Sequence, residues 1–237
     1  MKQTILSALA AGVLMVGGIA ATSQSALADG GKTYRVTIAN ATHGQPLAPG
    51  LIITHRGNFS LFQLNEEASA GLAHLAEFGD PGVLAGEVDG APGVKSVDVL
   101  LGQGVPGPVA VAGETNSIVI HTTRNARFLT AVGMLAATND AFYAARAIRL
   151  PRRGSVTVRA VAYDAGAEEN NEIASDVQAT SGNSDDSVDN GEGFIHIHPG
   201  IHGGADLDRA TFDWRNPVVQ ITIERLRKHD DDDDDDD

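Results

Sequence analysis

The chain has 237 residues, a formal net charge of −14 at pH 7 and no cysteine. Once an N-terminal leader is set aside, its length suits one sizeable β-domain or two small ones, and the missing cysteines exclude a disulfide scaffold. The acidic balance argues against nucleic acid as a partner, since phosphate binding needs clustered Lys and Arg, and makes cations the natural ones.

Met1-Lys2-Gln3 carries positive charge, Ile5 to Ala21 is an apolar run broken by Gly17 and Gly18, and Ala26-Leu27-Ala28 offers a small-x-small cleavage site. The run is short and leads straight into that site, so residues 1–28 read as a signal peptide cut after Ala28, not as a membrane anchor. The expected location is therefore periplasmic or secreted. No second apolar stretch is long enough to span a bilayer, so the mature chain is not expected to be transmembrane.

Thr33 to Asn40 alternates polar and apolar residues with β-branching, as a half-buried strand does, and turn chemistry at Asn40 to Pro46 ends it. Leu51 to His55 and Phe59 to Leu64 read as further short extended segments. From Ser69 to Phe78 the period becomes helical, with Leu72, Leu75 and Ala76 on one face, Ser69 as N-cap and Gly79 as the stop. Gly82 to Pro108 is rich in Gly, Pro, Val and Ala, which predicts loops around one strand at Ser96 to Leu101.

Strands are expected again at Ser117 to His121 and at Phe128 to Ala137, the latter a mostly apolar run that suits a central position. Phe142 to Leu150 reads as a return segment, Pro151-Arg152-Arg153-Gly154 as a turn, and Ser155 to Tyr163 as an alternating strand. Running up, down and up, these three segments bring Asp140 and Asp164 to the same edge of a sheet. Gln178 to Gly193 is Ser, Asn, Asp and Gly rich and predicts a mobile stretch. A last strand is expected over Val218 to Leu226. The domain then covers residues 29–228, and residues 229–237 form a poly-Asp tail whose self-repulsion predicts disorder.

Tyr163 to Glu172 holds Asp164, Glu168, Glu169 and Glu172 on a backbone that Gly166 leaves free to turn. Carboxylates this close fit a bound cation, an active site built on paired acids, or a solvated loop. Calcium takes six to eight oxygen ligands and could draw them from Asp140, Asp164 and Glu168, although the spacing lacks the EF-hand pattern. Glu169 and Glu172 read as solvent-facing charges.

The segments Thr138-Asn139-Asp140-Ala141-Phe142, Tyr163-Asp164-Ala165-Gly166-Ala167-Glu168 and Val218 to Leu226 resemble the spondin domain, a module of extracellular matrix proteins. With Phe59-Ser60-Leu61-Phe62 and the helix after it, the likeness covers most of residues 33–226. The resemblance implies an all-β fold, an antiparallel β-sandwich with one short helix, holding one calcium ion. It places that family's ligand acids on Asp140, Asp164 and Glu168, the last a departure from the aspartate of the animal members.

His196, His198 and His202 form a second constellation. Alternate residues on a strand point the same way, so His196 and His198 share a face, and Pro199-Gly200 can turn His202 towards them. Three imidazoles suit zinc or copper, with Asp206 or Asp208 near, and the alternative is a set of loop-bonding histidines. His43 and His55 could approach this cluster, and Phe212 and Trp214 read as core or loop anchors.

No nucleophile elbow, phosphate-binding glycine loop or H-E-x-x-H helix is present in the sequence, and few aromatics are available for sugar stacking. The expectation is therefore a non-enzymatic, calcium-binding module for adhesion or for binding an extracellular protein, glycan or lipid surface. The alternative is a transition-metal protein or metalloenzyme centred on His196, His198 and His202.

Overall fold

The computed structural model describes residues 30–100, 114–181 and 190–227. The expected signal peptide with its cleavage site, half of the Ser/Asn/Asp-rich stretch (182–189) and the poly-Asp tail lie outside the described residues.

Among the described residues nine strands carry the fold: β1 (Lys32–Asn40), β2 (Leu47–His55), β3 (Val94–Leu100), β4 (Thr115–Thr122), β5 (Phe128–Leu135), β6 (Ala141–Arg149), β7 (Ser155–Asp164), β8 (His196–Ile197) and β9 (Val219–Leu226). Every ladder is antiparallel, in the order β3-β2-β5-β6-β7-β9-β1-β4, with β8 added beside β7. Strand β7 belongs to both layers, because Ser155 to Ala160 pairs with β9 while Val161 to Asp164 pairs with β6. The outer strands β3 and β4 come side by side without a ladder, so the sheet is nearly closed on itself. The fold is all-β, as expected.

Between the layers lies a core that includes Tyr34, Ile38, Leu129, Tyr143, Ile221 and Ile223. A second core covers the other face of β2, β5 and β6, where Leu51, Ile53, Val132 and Phe142 meet Leu72, Leu75 and Leu84. Burial on both faces explains why β2 and β5 read as nearly continuous apolar runs.

The expected helix is present as α1 (Ala70–Phe78). Ser69 accepts from the Leu72 N–H, and Gly79 at φ 65° closes the C-terminus by donating to the Leu75 carbonyl. Three more short helices accompany it among the described residues: α2 (Gly82–Val88), α3 (Gln178–Ser181) and α4 (Arg209–Phe212). Helix α2 occupies sequence expected to be loop. Its glycines weaken local helical preference, but Leu84 and Val88 are buried, and Glu87 bonds Ser69 Oγ at 2.9 Å and the Gly71 N–H at 3.0 Å.

Phe59 to Leu64 is not a strand. Its backbone follows irregular turns, held where Arg146 Nη1 donates to the Phe62 carbonyl at 2.9 Å and its guanidinium sits 4.3 Å from the Phe62 ring centre. Among the described residues no helix is long and apolar enough to cross a membrane.

Gly50 and Gly133 are cross-strand partners, and Gly133 is in turn opposite Tyr143. A Cβ at Gly133 would lie 2.8 Å from the Tyr143 ring, so the missing side chain makes room for that ring in the core. Gly133→Ala is therefore expected to lower stability by roughly 1–3 kcal/mol, the usual cost of overpacking. A urea midpoint unchanged from the parent would disprove this.

Candidate metal centre

Register alone brings the acids together. Ala141 pairs with Asp164, and the Ala165 N–H donates to the Asp140 carbonyl at 3.2 Å, so the start of β6 and the end of β7 share one edge. Asp140 and Asp164 are fully buried, and Glu168 is 4% exposed.

Each carboxylate is partly satisfied. Asp140 Oδ2 accepts from the Ala167 N–H at 2.7 Å and the Glu168 N–H at 3.1 Å, whereas its Oδ1 finds no partner. Asp164 Oδ1 accepts from the Gly166 N–H at 2.8 Å, and its Oδ2 from the Asn170 side-chain amide at 2.7 Å. Glu168 Oε2, like Asp140 Oδ1, is buried with no hydrogen-bond partner. Leaving such oxygens unpaired is costly, and a bound cation is one way to offset that cost.

The charges respond accordingly. Burial, and then the neighbouring Asp164 carboxyl, pushes Asp140 up to about 8. Burial also raises Asp164, against the bonds from Asn170 and Gly166 and the nearby His196. Glu168 is pushed up to about 8 by burial, then by Glu77 and Asp140. Without a positive ion, Asp140 and Glu168 hold protons at neutral pH.

A fourth acid joins them from a distant loop. Ligand atoms of Asp164, Glu192 and His196 all lie within 4.8 Å of one another, and Glu192 raises both Asp140 and Asp164. Two glycines make the approach feasible. A Cβ on Gly191 would sit 2.2 Å from the Gly166 carbonyl oxygen, and one on Gly166 would sit 2.5 Å from the Phe194 carbonyl oxygen. The Gly193 N–H then donates to the Gly166 carbonyl at 2.9 Å. Sequence reading missed Glu192; the only local signal is its place between Gly191 and Gly193.

The histidines divide. His196 Nδ1 is buried without a hydrogen-bond partner and lies 3.6 Å from Asp164 Oδ1. His198 Nδ1 accepts from the Gly200 N–H at 3.0 Å, which leaves the proton on Nε2 to point at Asn170 Oδ1, also 3.0 Å away. Both nitrogens are thus engaged, and burial, then His196 and His202, lowers His198 to about 3. His202 is exposed. His55 is buried at the opposite end of the sheet, beside Phe128, and His43 is exposed on a turn.

Glu172 corrects the expectation of a solvent-facing charge. It is buried, and its carboxylate accepts from the backbone N–H groups of His202 and Gly204, which pins the 200–204 loop beside the acids. Glu169 is exposed, as expected. Trp214 is a buried anchor whose ring lies 5.0 Å from that of His198.

Compared with known proteins, the chain matches no family model and none of the curated proteins.

The raised carboxyls set a pH dependence. Between the ordinary carboxyl range and about 8, the fold keeps protons that the unfolded chain has released, so stability falls as pH rises through that window. His198 acts oppositely but lower down, since its contribution is lost as pH falls from its ordinary 6.5 towards 3. In the presence of a chelator, the melting temperature is therefore expected to be lower near pH 8.5 than near pH 6.5. A flat or rising profile across that interval would contradict the protonated cluster.

Proposed function

We propose that this domain is a secreted or periplasmic calcium-binding module, related to the spondin domain, that binds an extracellular protein, glycan or lipid surface and is not an enzyme. The observation that carries the reading is the pair of buried, unpartnered oxygens, Asp140 Oδ1 and Glu168 Oε2, beside the buried carboxylate of Asp164. Hard oxygen donors of this kind suit calcium, which tolerates irregular geometry and fills remaining positions with carbonyls and water. Asp140, Asp164 and Glu168 would hold the ion, and its charge would replace the protons that Asp140 and Glu168 otherwise carry. The leader over residues 1–28 supports export, and the resemblance of the Asp140 and Asp164 segments supports the module type.

A second reading rests on the mixed trio Asp164, Glu192 and His196, whose imidazole and carboxylates suit zinc or copper as well as harder ions. On this reading the transition metal sits against His196 rather than among His196, His198 and His202 together.

Saturation with calcium at 100 times its dissociation constant is expected to stabilise the domain by about 2.7 kcal/mol, which raises the melting temperature by roughly 5–10 °C. Asp164→Asn should abolish that rise while leaving a folded protein. Elemental analysis of protein purified without a histidine tag separates the two readings. Stoichiometric zinc or copper, lost in His196→Ala, together with indifference to calcium would overturn the first.

A further inference from the structure

The end of the sheet opposite the acids is a basic pole. Strands β2, β4 and β6 end there, and β5 and β7 begin there, so the segments 56–58, 123–127 and 149–154 lie at the same end. The Arg127 N–H donates to the His55 carbonyl at 3.1 Å, the Leu150 N–H to the Arg127 carbonyl at 3.0 Å, and the Arg225 N–H to the Gly154 carbonyl at 2.8 Å. These three segments contain Arg56, Arg124, Arg127, Arg149, Arg152 and Arg153, and no acidic residue. All six arginines are exposed. The arginine ion pairs formed among the described residues are made by other arginines, Arg35, Arg209 and Arg215, and the acid of the first, Glu224 opposite Ser155, is already held by Arg35.

The chain itself leaves the domain at this pole. Strand β9 ends at Leu226 beside β1 and the 151–154 turn, Arg227 follows, and Lys228 and His229 precede eight consecutive aspartates, Asp230 to Asp237. Fully extended, residues 228–237 reach roughly 33–36 Å. That exceeds the width of a few strands at about 4.8 Å spacing in two layers about 10 Å apart, so the tail can cross the whole pole.

We propose that the aspartate tail is the resident occupant of the arginine pole, folded back across it within the same chain, where it shields the arginines from other anionic partners. Covalent attachment keeps the tail at high effective concentration, so many individually weak, exposed pairs act together. Such a clamp loosens as salt shortens the screening length from about 10 Å at 0.1 M to about 3 Å at 1 M.

The mature chain has no cysteine, so one cysteine added after Asp237 takes a nitroxide label uniquely. In about 20 mM salt, amide signals of residues 123–127 and 151–154 are expected to lose most of their intensity, while those around Asp164 do not. The signals should return in about 1 M salt and in the Arg152→Gln/Arg153→Gln variant. Undiminished signals at low salt would overturn the clamp. So would broadening that survives when the labelled chain is isotopically silent and only an unlabelled copy is observed, because the tail would then occupy a second molecule. Inorganic polyphosphate gives an independent readout: replacing Asp230–Asp237 by asparagine should tighten its binding by about tenfold or more at low salt. Equal affinity for the two chains would also overturn the proposal.

Discussion

Burying several carboxyl groups at one end of a β-domain is the constraint on which the rest of this structure depends. An ionised acid away from water is costly unless it is hydrogen-bonded, protonated or matched by a positive charge. The chain answers with backbone N–H groups. Those of Gly166, Ala167 and Glu168 turn inward onto Asp164 and Asp140, and those of His202 and Gly204 onto Glu172. Beneath them Phe142 and Tyr163 stack as cross-strand partners, with Phe62 edge-on to both, so the floor of the acidic edge is aromatic. The donors supplied do not cover every oxygen, and the shortfall at Asp140 and Glu168 is what gives the edge its chemical meaning.

Much of this was legible in the sequence because it depends on local pattern. Period-2 alternation located β1 and β7, Ser69 and Gly79 bracketed α1, and the up-down-up run of β5, β6 and β7 required Asp140 and Asp164 to meet. What escaped depends on contacts made far along the chain. Helix α2 carries Gly82 and Gly86, and its helicity comes from packing on α1 rather than from propensity. Glu192 reaches the acids only because Gly166 and Gly191 let two loops touch backbone to backbone, which no short window of sequence displays. Glu172, at φ 57°, is buried by N–H groups about thirty positions further on.

Charge is also distributed by topology. Antiparallel strands put alternate connections at opposite ends, and here one end collects Asp140, Asp164 and Glu168 while the other collects arginine-bearing turns. Strand β7 runs between them, from the Arg152-Arg153 turn to Asp164, and it also joins the two layers. The charge of the domain is thus unevenly spread, with the arginines gathered at one end and the buried acids at the other.

The contact between Trp214 and His198 has an optical consequence. Trp214 is the sole tryptophan of the chain, and its neighbour His198 is tied through Asn170 to Asp164. Two hydrogen bonds, from Asp164 to Asn170 and from Asn170 to His198, thus separate the acidic edge from the ring beside the indole. The protein therefore carries one intrinsic fluorophore, and it lies next to the candidate metal centre.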